Sequence, residues 1–261
     1  MLERLVPRQC DVCGVGYISS KAAQRHCSLA CARRSVNWKT RQSASHRRYS
    51  LNENYFADIV LPAQAYWLGF LAADSGITPP RRIVLRLARR DRAQLIALNC
   101  ALESSYPIKD RIVDRKYAMS DLTILSYRLL DGLARYGVTS DKSHTFCWPE
   151  ELPVHLAAPF LLGSTDGDGC FTRSDTNNQM CWGLLGTYQF LQQLQTVLAE
   201  RLAIRRHNLR AKGPNGQVYE LRIAQRDELT RLVRWLYRNA PASLTRKKEV
   251  ILPLLGVGHD Q

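Results

Sequence analysis

Acidic residues are scarce in this chain. Asp and Glu number 23 against 37 Lys and Arg, which leaves a formal net charge of +14. An excess of this size on a globular chain points to a polyanion partner, most often nucleic acid. The alternative is a basic but inert surface. Long apolar runs are missing too, so no segment is expected to span a membrane. The first eight residues, Met-Leu-Glu-Arg-Leu-Val-Pro-Arg, hold no apolar h-region. No secretory signal is therefore expected, and a cytoplasmic, reducing compartment is the default. In that compartment the eight cysteines are expected as thiols or metal ligands, not disulfides.

What is present suffices for a packed core: 261 residues, 45% of them hydrophobic. Residues 1–34 read as a small Cys-rich module and residues 35–60 as a basic linker with little apolar periodicity. The body divides into a first half, 61–150, and a second half, 151–254, with a tail at 255–261. In the first half, a helix ending at Asp74 precedes a strand over 82–87, a helix capped by Asp91, strands near 107–113 and 117–125, and a helix stopping at Gly137. The second half repeats the order. A helix ends at Asp168, strands lie near 170–174 and 179–185, and a helix covers 187–203. Strands near 205–212 and 217–224, joined by a hairpin at 212–216, precede a helix over 226–238. The fold class is α+β, with an αββαββα unit present twice.

Cys10 and Cys13 are two residues apart, and Cys27 and Cys31 three apart. Two such pairs can supply four thiolates to a tetrahedral Zn²⁺, with His26 as the rival ligand. So small a module takes its folding energy from the metal. It is placed to set Arg25, Arg33 and Arg34 on phosphates, or else to act as a structural cap or protein contact. Cys100, Cys147, Cys170 and Cys181 lack a partner spacing and are expected to pack as small hydrophobes.

The most telling pattern is a near-repeat. Tyr66-Trp67-Leu68-Gly69-Phe70-Leu71-Ala72-Ala73-Asp74 and Phe160-Leu161-Leu162-Gly163-Ser164-Thr165-Asp166-Gly167-Asp168 are apolar, small-residue helices that each end in an acid. A carboxylate at a helix C-terminus is locally unfavourable, and here it occurs twice. Small residues let two helices approach until their backbones meet, which would set Asp74 beside Asp168. Paired carboxylates repel unless a cation lies between them. Mg²⁺ suits such hard oxygen ligands and can activate water against a phosphodiester.

These residues resemble the LAGLIDADG homing endonucleases in their single-chain, two-motif form. The resemblance covers about 61–254. It implies two curved sheets related by a pseudo-twofold axis, forming a saddle over double-stranded DNA. It implies Asp74 and Asp168 as metal-binding catalytic acids, with the backbone carbonyls of Ala73 and Gly167 also facing Mg²⁺. Basic residues near each active site would be Lys142 and Lys247, with Lys248 as a substitute for the latter. The activity implied is a staggered double-strand break in a long site, made by a monomer. The first motif departs from the signature. Ser75 stands where Gly is usual, which is expected to reshape the helix exit or shift the register. Ala72 stands where the second motif has Asp166.

Base readers are expected on strand faces: Arg206, Asn208, Arg210 and Lys212 on one, Arg82 and Arg86 on another, and Arg173 on the second half's first strand. A non-cleaving DNA-binding protein and a splicing cofactor that binds host intron RNA are the alternatives. No separate RNA-binding motif is recognisable, and nothing resembles the self-splicing ends of an intein.

Overall fold

The computed structural model describes residues 6–19, 24–28, 31, 48–78, 82–173, 178–212 and 217–255. Arg33, Arg34 and the 213–216 part of the expected hairpin lie outside the described residues. At the N-terminus, β1 (Val6–Gln9) and β2 (Gly16–Ser19) pair antiparallel. The first half comprises α1 (Pro62–Asp74), β3 (Ser75–Thr78), β4 (Arg82–Ala88), α2 (Arg92–Ala101), β5 (Ile108–Val113), β6 (Tyr117–Leu125), α3 (Tyr127–Arg135) and the short α4 (Lys142–Thr145). The second comprises α5 (Ala157–Asp168), β7 (Gly169–Arg173), β8 (Met180–Gly186), α6 (Tyr188–Leu202), β9 (Arg210–Lys212), β10 (Val218–Ile223), α7 (Arg226–Tyr237) and α8 (Thr245–Leu255).

Each half forms one antiparallel four-stranded sheet, ordered β3-β4-β6-β5 and β7-β8-β10-β9. The registers are equivalent. Leu85 pairs with Ser75 and Leu122 in the first sheet, as Leu184 pairs with Gly169 and Leu221 in the second. The αββαββα order expected from sequence is present in both halves.

Local chemistry explains the element starts. Pro62 opens α1, where its missing N–H costs nothing. The Gln64 side chain accepts from the N–H groups of Val60 and Leu61 at 3.0 and 2.9 Å. Ser126 and Thr187 cap α3 and α6 by accepting from Leu129 N and Phe190 N, both at 3.1 Å. Gly137, at φ +81°, supplies the left-handed turn that follows α3.

Alternation sorts the sheet faces. Ile83, Leu85, Leu122 and Ile124 point into the core in one half, and Trp182, Leu184, Leu221 and Ile223 in the other. One apolar cluster runs through both halves. Part of the expected linker is built into it. Phe56 and Ile59 are fully buried, and Asn52 N donates to Leu102 O at 2.8 Å.

Three local expectations need correction. The first half has an additional short strand, β3, directly after Asp74. The strand expected near 205–212 holds only Arg210–Lys212. Residues ahead of it spend their N–H groups on side chains instead of a ladder. Arg205 N donates to Glu228 Oε1 at 3.1 Å, and His207 N to Gln195 Oε1 at 2.6 Å. Asp91 stands at the start of α2 but its side chain does not cap it. Both of its oxygens instead accept from Arg246 Nε, at 3.1 and 3.0 Å.

Candidate active site and nucleic-acid interface

Helices α1 and α5 pack main chain against main chain. A Cβ added to Gly69 would fall 2.0 Å from Phe160 O, and one on Gly163 would fall 1.9 Å from Tyr66 O. No side chain fits between them. The contact continues to the helix ends, where a Cβ on Gly167 would meet the Ala73 methyl at 2.3 Å. The sequence expectation that small residues bring the two ends together agrees with this geometry.

Asp74 and Asp168 close these helices. Asp74 is half-buried, and Asp168 opens to solvent while packed atoms crowd its other sides. Burial pushes the Asp74 carboxyl up, and the neighbouring Asp168 charge pushes it further, to about 6. Burial also raises Asp168, against the pull of Lys142 and Lys247. The two carboxylates therefore share one field, and a cation between them would relieve it.

Two buried lysines sit at the helix ends. Lys142 Nζ donates to the carbonyls of Ala72 and Ala73 at 2.6 and 2.8 Å. Lys247 Nζ donates to Thr165, Asp166, Gly167 and Gly169 O at 2.7, 2.6, 3.3 and 2.7 Å. Each ammonium thus takes up carbonyls that a helix C-terminus leaves unpaired, and complements its partial negative charge. Burial lowers both lysines, and nearby carboxylates (Asp168 and Asp74 for Lys142, Asp166 first for Lys247) oppose that. The carbonyls of Ala73 and Gly167, expected at a metal, accept from these lysines. Each keeps a second lone pair. Lys248 is exposed and Lys247 buried, which separates the two candidates.

Ser75 leaves the helix exit and the register intact. It is extended at φ −89°, ψ 139°, as Gly169 is at φ −90°, ψ 166°, so neither exit uses a conformation reserved for glycine. The difference is steric. A Cβ on Gly169 would lie 2.7 Å from Thr165 O, whereas Ser75 Oγ donates to the equivalent Leu71 O at 2.5 Å.

No sequence-family model matches the chain, and no curated protein matches it. Solved structures do. The meganuclease I-SmaMI, bound to uncleavable DNA, matches over 73% of this chain and 89% of its own, at 11% identity and TM-score 0.50. A point mutant of I-SmaMI matches over 73% and 88%, at 11% identity and TM-score 0.51.

This is the LAGLIDADG homing-endonuclease fold.

Full-length WhiA from Thermatoga maritima also matches, over 77% of this chain and 64% of its own, at 14% identity and TM-score 0.47. In LAGLIDADG terms, the two motif helices are α1 and α5, and each sheet turns one face away from the core. Arg82 and Arg86 lie on that face in the first sheet, as expected. Lys109, Arg111, Asp121 and Thr123 share it, and the sequence reading overlooked them. Arg111 Nε reaches Asp121 at 2.7 Å. In the second sheet Arg210 and Lys212 share a face with Glu220 and Arg222. Lys212 pairs with Glu220 at 3.0 Å, and Arg222 Nε donates to Cys181 Sγ at 3.3 Å. Period-2 alternation in 108–113, 117–125 and 218–223 was the available signal for the overlooked residues.

Arg206 and Asn208 precede β9 instead of sharing its face, and Arg206 Nη2 turns back to Thr196 Oγ1 at 3.1 Å. Arg173 pairs with Met180, which is opposite in alternation to that face. At the strand's end it lines a basic recess with Arg205, His207, Arg210 and Arg222.

The sulfurs of Cys10, Cys13, Cys27 and Cys31 lie within 4.8 Å of one another, a cluster able to hold a metal ion. Gly14, at φ +70°, makes the tight turn after Cys13. Ser28 Oγ accepts from Cys31 N at 3.2 Å. Burial raises the Cys10 thiol, but backbone N–H groups of Cys27, Cys13 and Val12 outweigh it and bring it down to about 6. His26 stands outside the cluster. Of the other cysteines only Cys181 is buried; Cys100 and Cys170 are exposed, against the packing role expected for them. Among the described residues, no helix is long and apolar enough to cross a membrane.

Proposed function

We propose that the chain is a sequence-specific DNA endonuclease that makes a staggered double-strand break by Mg²⁺-dependent hydrolysis. One observation carries the reading. The α1–α5 contact brings Asp74 and Asp168 together, with a buried lysine at each helix end, between two equivalent sheets whose outer faces carry arginine and lysine. That I-SmaMI was crystallised with DNA supports duplex DNA as the ligand here.

The donor set suits a hard cation. It offers two carboxylates that resist sharing charge, and two carbonyls with a lone pair free. Asp74 and Asp168 would hold Mg²⁺, with the Ala73 and Gly167 carbonyls adjacent. Bound there, the ion would supply an activated water and neutralise the leaving oxygen. Lys142 and Lys247 fix the carbonyls that set the height of each carboxylate, and place positive charge where negative charge develops on phosphate. Arg82, Arg86, Arg111, Arg210, Lys212 and Arg222 are the base and phosphate contacts we assign. With both half-sites in one chain, a monomer is the acting unit.

The Cys module would hold Zn²⁺. Tetrahedral thiolate ligation at about 2.3 Å requires sulfurs spaced at about 3.8 Å. The Cys13–Cys27 and Cys27–Cys31 sulfurs are already 3.5 and 3.6 Å apart.

The test is selection of cleaved duplexes from a randomised DNA library in Mg²⁺, run beside Asp168→Asn. A defined long site cut only by the native chain is expected. Enrichment by binding without cleavage under any divalent ion would replace this reading with that of a DNA-binding protein.

A further inference from the structure

The second motif retains an acid, Asp166, where the first has Ala72. Asp166 is 1% exposed, and one of its oxygens, Oδ1, has no hydrogen-bond partner. A buried carboxylate so incompletely satisfied is poor value as a source of stability. The packing of α1 on α5 does not require it, since Ala72 serves at the equivalent place.

Its other oxygen, Oδ2, accepts two bonds. One comes from Tyr66 Oη on α1 at 2.7 Å, and Gln94 Nε2 in turn donates to Tyr66 Oη. The second comes from the backbone N–H of Leu244 at 2.7 Å. Leu244 precedes α8, and its carbonyl accepts from Lys247 N and Lys248 N at 2.9 and 3.1 Å. Asp166 therefore grips the residue on which the first turn of α8 is built. Two residues on, Arg246 is gripped by Asp91 from the first half.

This turn needs such anchors. It carries Arg246, Lys247 and Lys248 and no acid, at the positive end of a helix. Unheld, three cations there would favour fraying, and Lys247 would leave the four carbonyls it binds.

The first half solves the same problem differently. Phe146, next after α4, packs against Phe160 and Phe190, and Trp148 stacks on Phe190 in turn. Its carbonyl accepts from Thr187 Oγ1, and its N–H donates to Lys142 O at 3.0 Å. Lys142 is thus held by an apolar anchor that Asp166 does not touch.

We propose that Asp166 is a positioning residue for Lys247 alone, so that its loss impairs one of the two strand cuts. The proposal rests on the endonuclease reading. The two strands of a duplex are related by a local twofold axis, as the two helix ends are, so each lysine serves one scissile phosphate. A misplaced Lys247 should slow one cut and spare the other.

The experiment uses the full chain on supercoiled plasmid bearing the selected site, with Mg²⁺. Asp166→Asn should accumulate nicked circles, with one strand cut about tenfold more slowly and the other at the native rate. Asp91→Asn, a milder change, should show the same strand bias. Equal slowing of both strands, or no slowing, overturns the proposal, because a general loss of fold has no strand preference. A second readout needs no cleavage. Amine-reactive labelling should find Lys247 protected and Lys248 reactive in the native chain, with Lys247 becoming reactive in Asp166→Asn. If the native chain cuts no DNA, the endonuclease reading fails, and unchanged Lys247 protection in the variant would independently sink the positioning role.

Discussion

Ser75 Oγ and Lys247 Nζ hold equivalent carbonyl oxygens in opposite halves, those of Leu71 at 2.5 Å and Thr165 at 2.7 Å. A neutral hydroxyl in one half does what part of a lysine does in the other. Ser75→Gly would leave the Leu71 carbonyl short of this donor and should cost about 1 kcal/mol. Gly169→Ser should cost more, because its Cβ meets Thr165 O at 2.7 Å and its hydroxyl competes with Lys247. Denaturant midpoints of the two variants check the order.

Gly163→Ala forces a methyl to 1.9 Å from a main-chain oxygen that cannot rotate away. We expect a loss of about 3 kcal/mol or more, at the upper end for overpacking. Gly76→Ala is the control, since the nearest atom to its new methyl, Val84 O, would be 3.8 Å away. Urea unfolding that finds the two substitutions equally mild would refute the close contact.

Asp74→Asn and Asp168→Asn should each abolish double-strand cleavage while leaving DNA affinity within about threefold, since the acids add nothing to phosphate attraction. Gel-shift titration beside a cleavage assay separates the two effects. Double-strand cutting retained by either variant would remove that acid from the metal site.

The Asp74 carboxyl, raised to about 6 when folded, gives a pH signature in metal-free protein. Between its ordinary value and about 6, the folded state binds more protons than the unfolded state. Its contribution to stability is therefore complete below the ordinary carboxylate range and is lost as pH rises through about 6. Asp74→Asn should flatten that part of the stability profile. Mg²⁺ competes with the proton, so its stabilising shift in melting temperature should be larger at pH 7 than at pH 5. Thermal scans across pH, with and without Mg²⁺, measure both.

For the Cys cluster, Cys27→Ser should eliminate the bound metal, because two of the close sulfur contacts meet at Cys27. The native chain should release one Zn²⁺ per molecule to a chromogenic chelator after thiol modification. A chain purified with no zinc, or a variant that keeps it, would contradict the assignment.

Much of the architecture was legible because it depends on local pattern. Alternation in 82–88 marked both the buried Ile83, Leu85 and Leu87 and the outward Arg82 and Arg86. The glycines at 69 and 163 marked the helix contact, and the Cys spacing marked a cluster that folding closes. Other features depend on partners distant in sequence. Asp91 looks like a helix cap from its neighbours alone, and only the fold brings Arg246, 155 residues away, to claim its side chain. Residues 205–209 alternate like a strand, but Glu228 and Gln195 take the N–H groups of Arg205 and His207. Tyr66 and Asp166, one hundred residues apart, carry no local sign of their bond.

The join between the halves has a consequence for modularity. Where α1 meets α5 at Gly69 and Gly163, the touching atoms belong to the peptide backbone, which every sequence shares. A seam of that kind is indifferent to most of what distinguishes one half from another. Halves from different ancestors could be grafted across it, provided each brought its glycine. Further from the seam, the partner-specific grips of Asp166 on Leu244 and Asp91 on Arg246 would have to be rebuilt with every exchange.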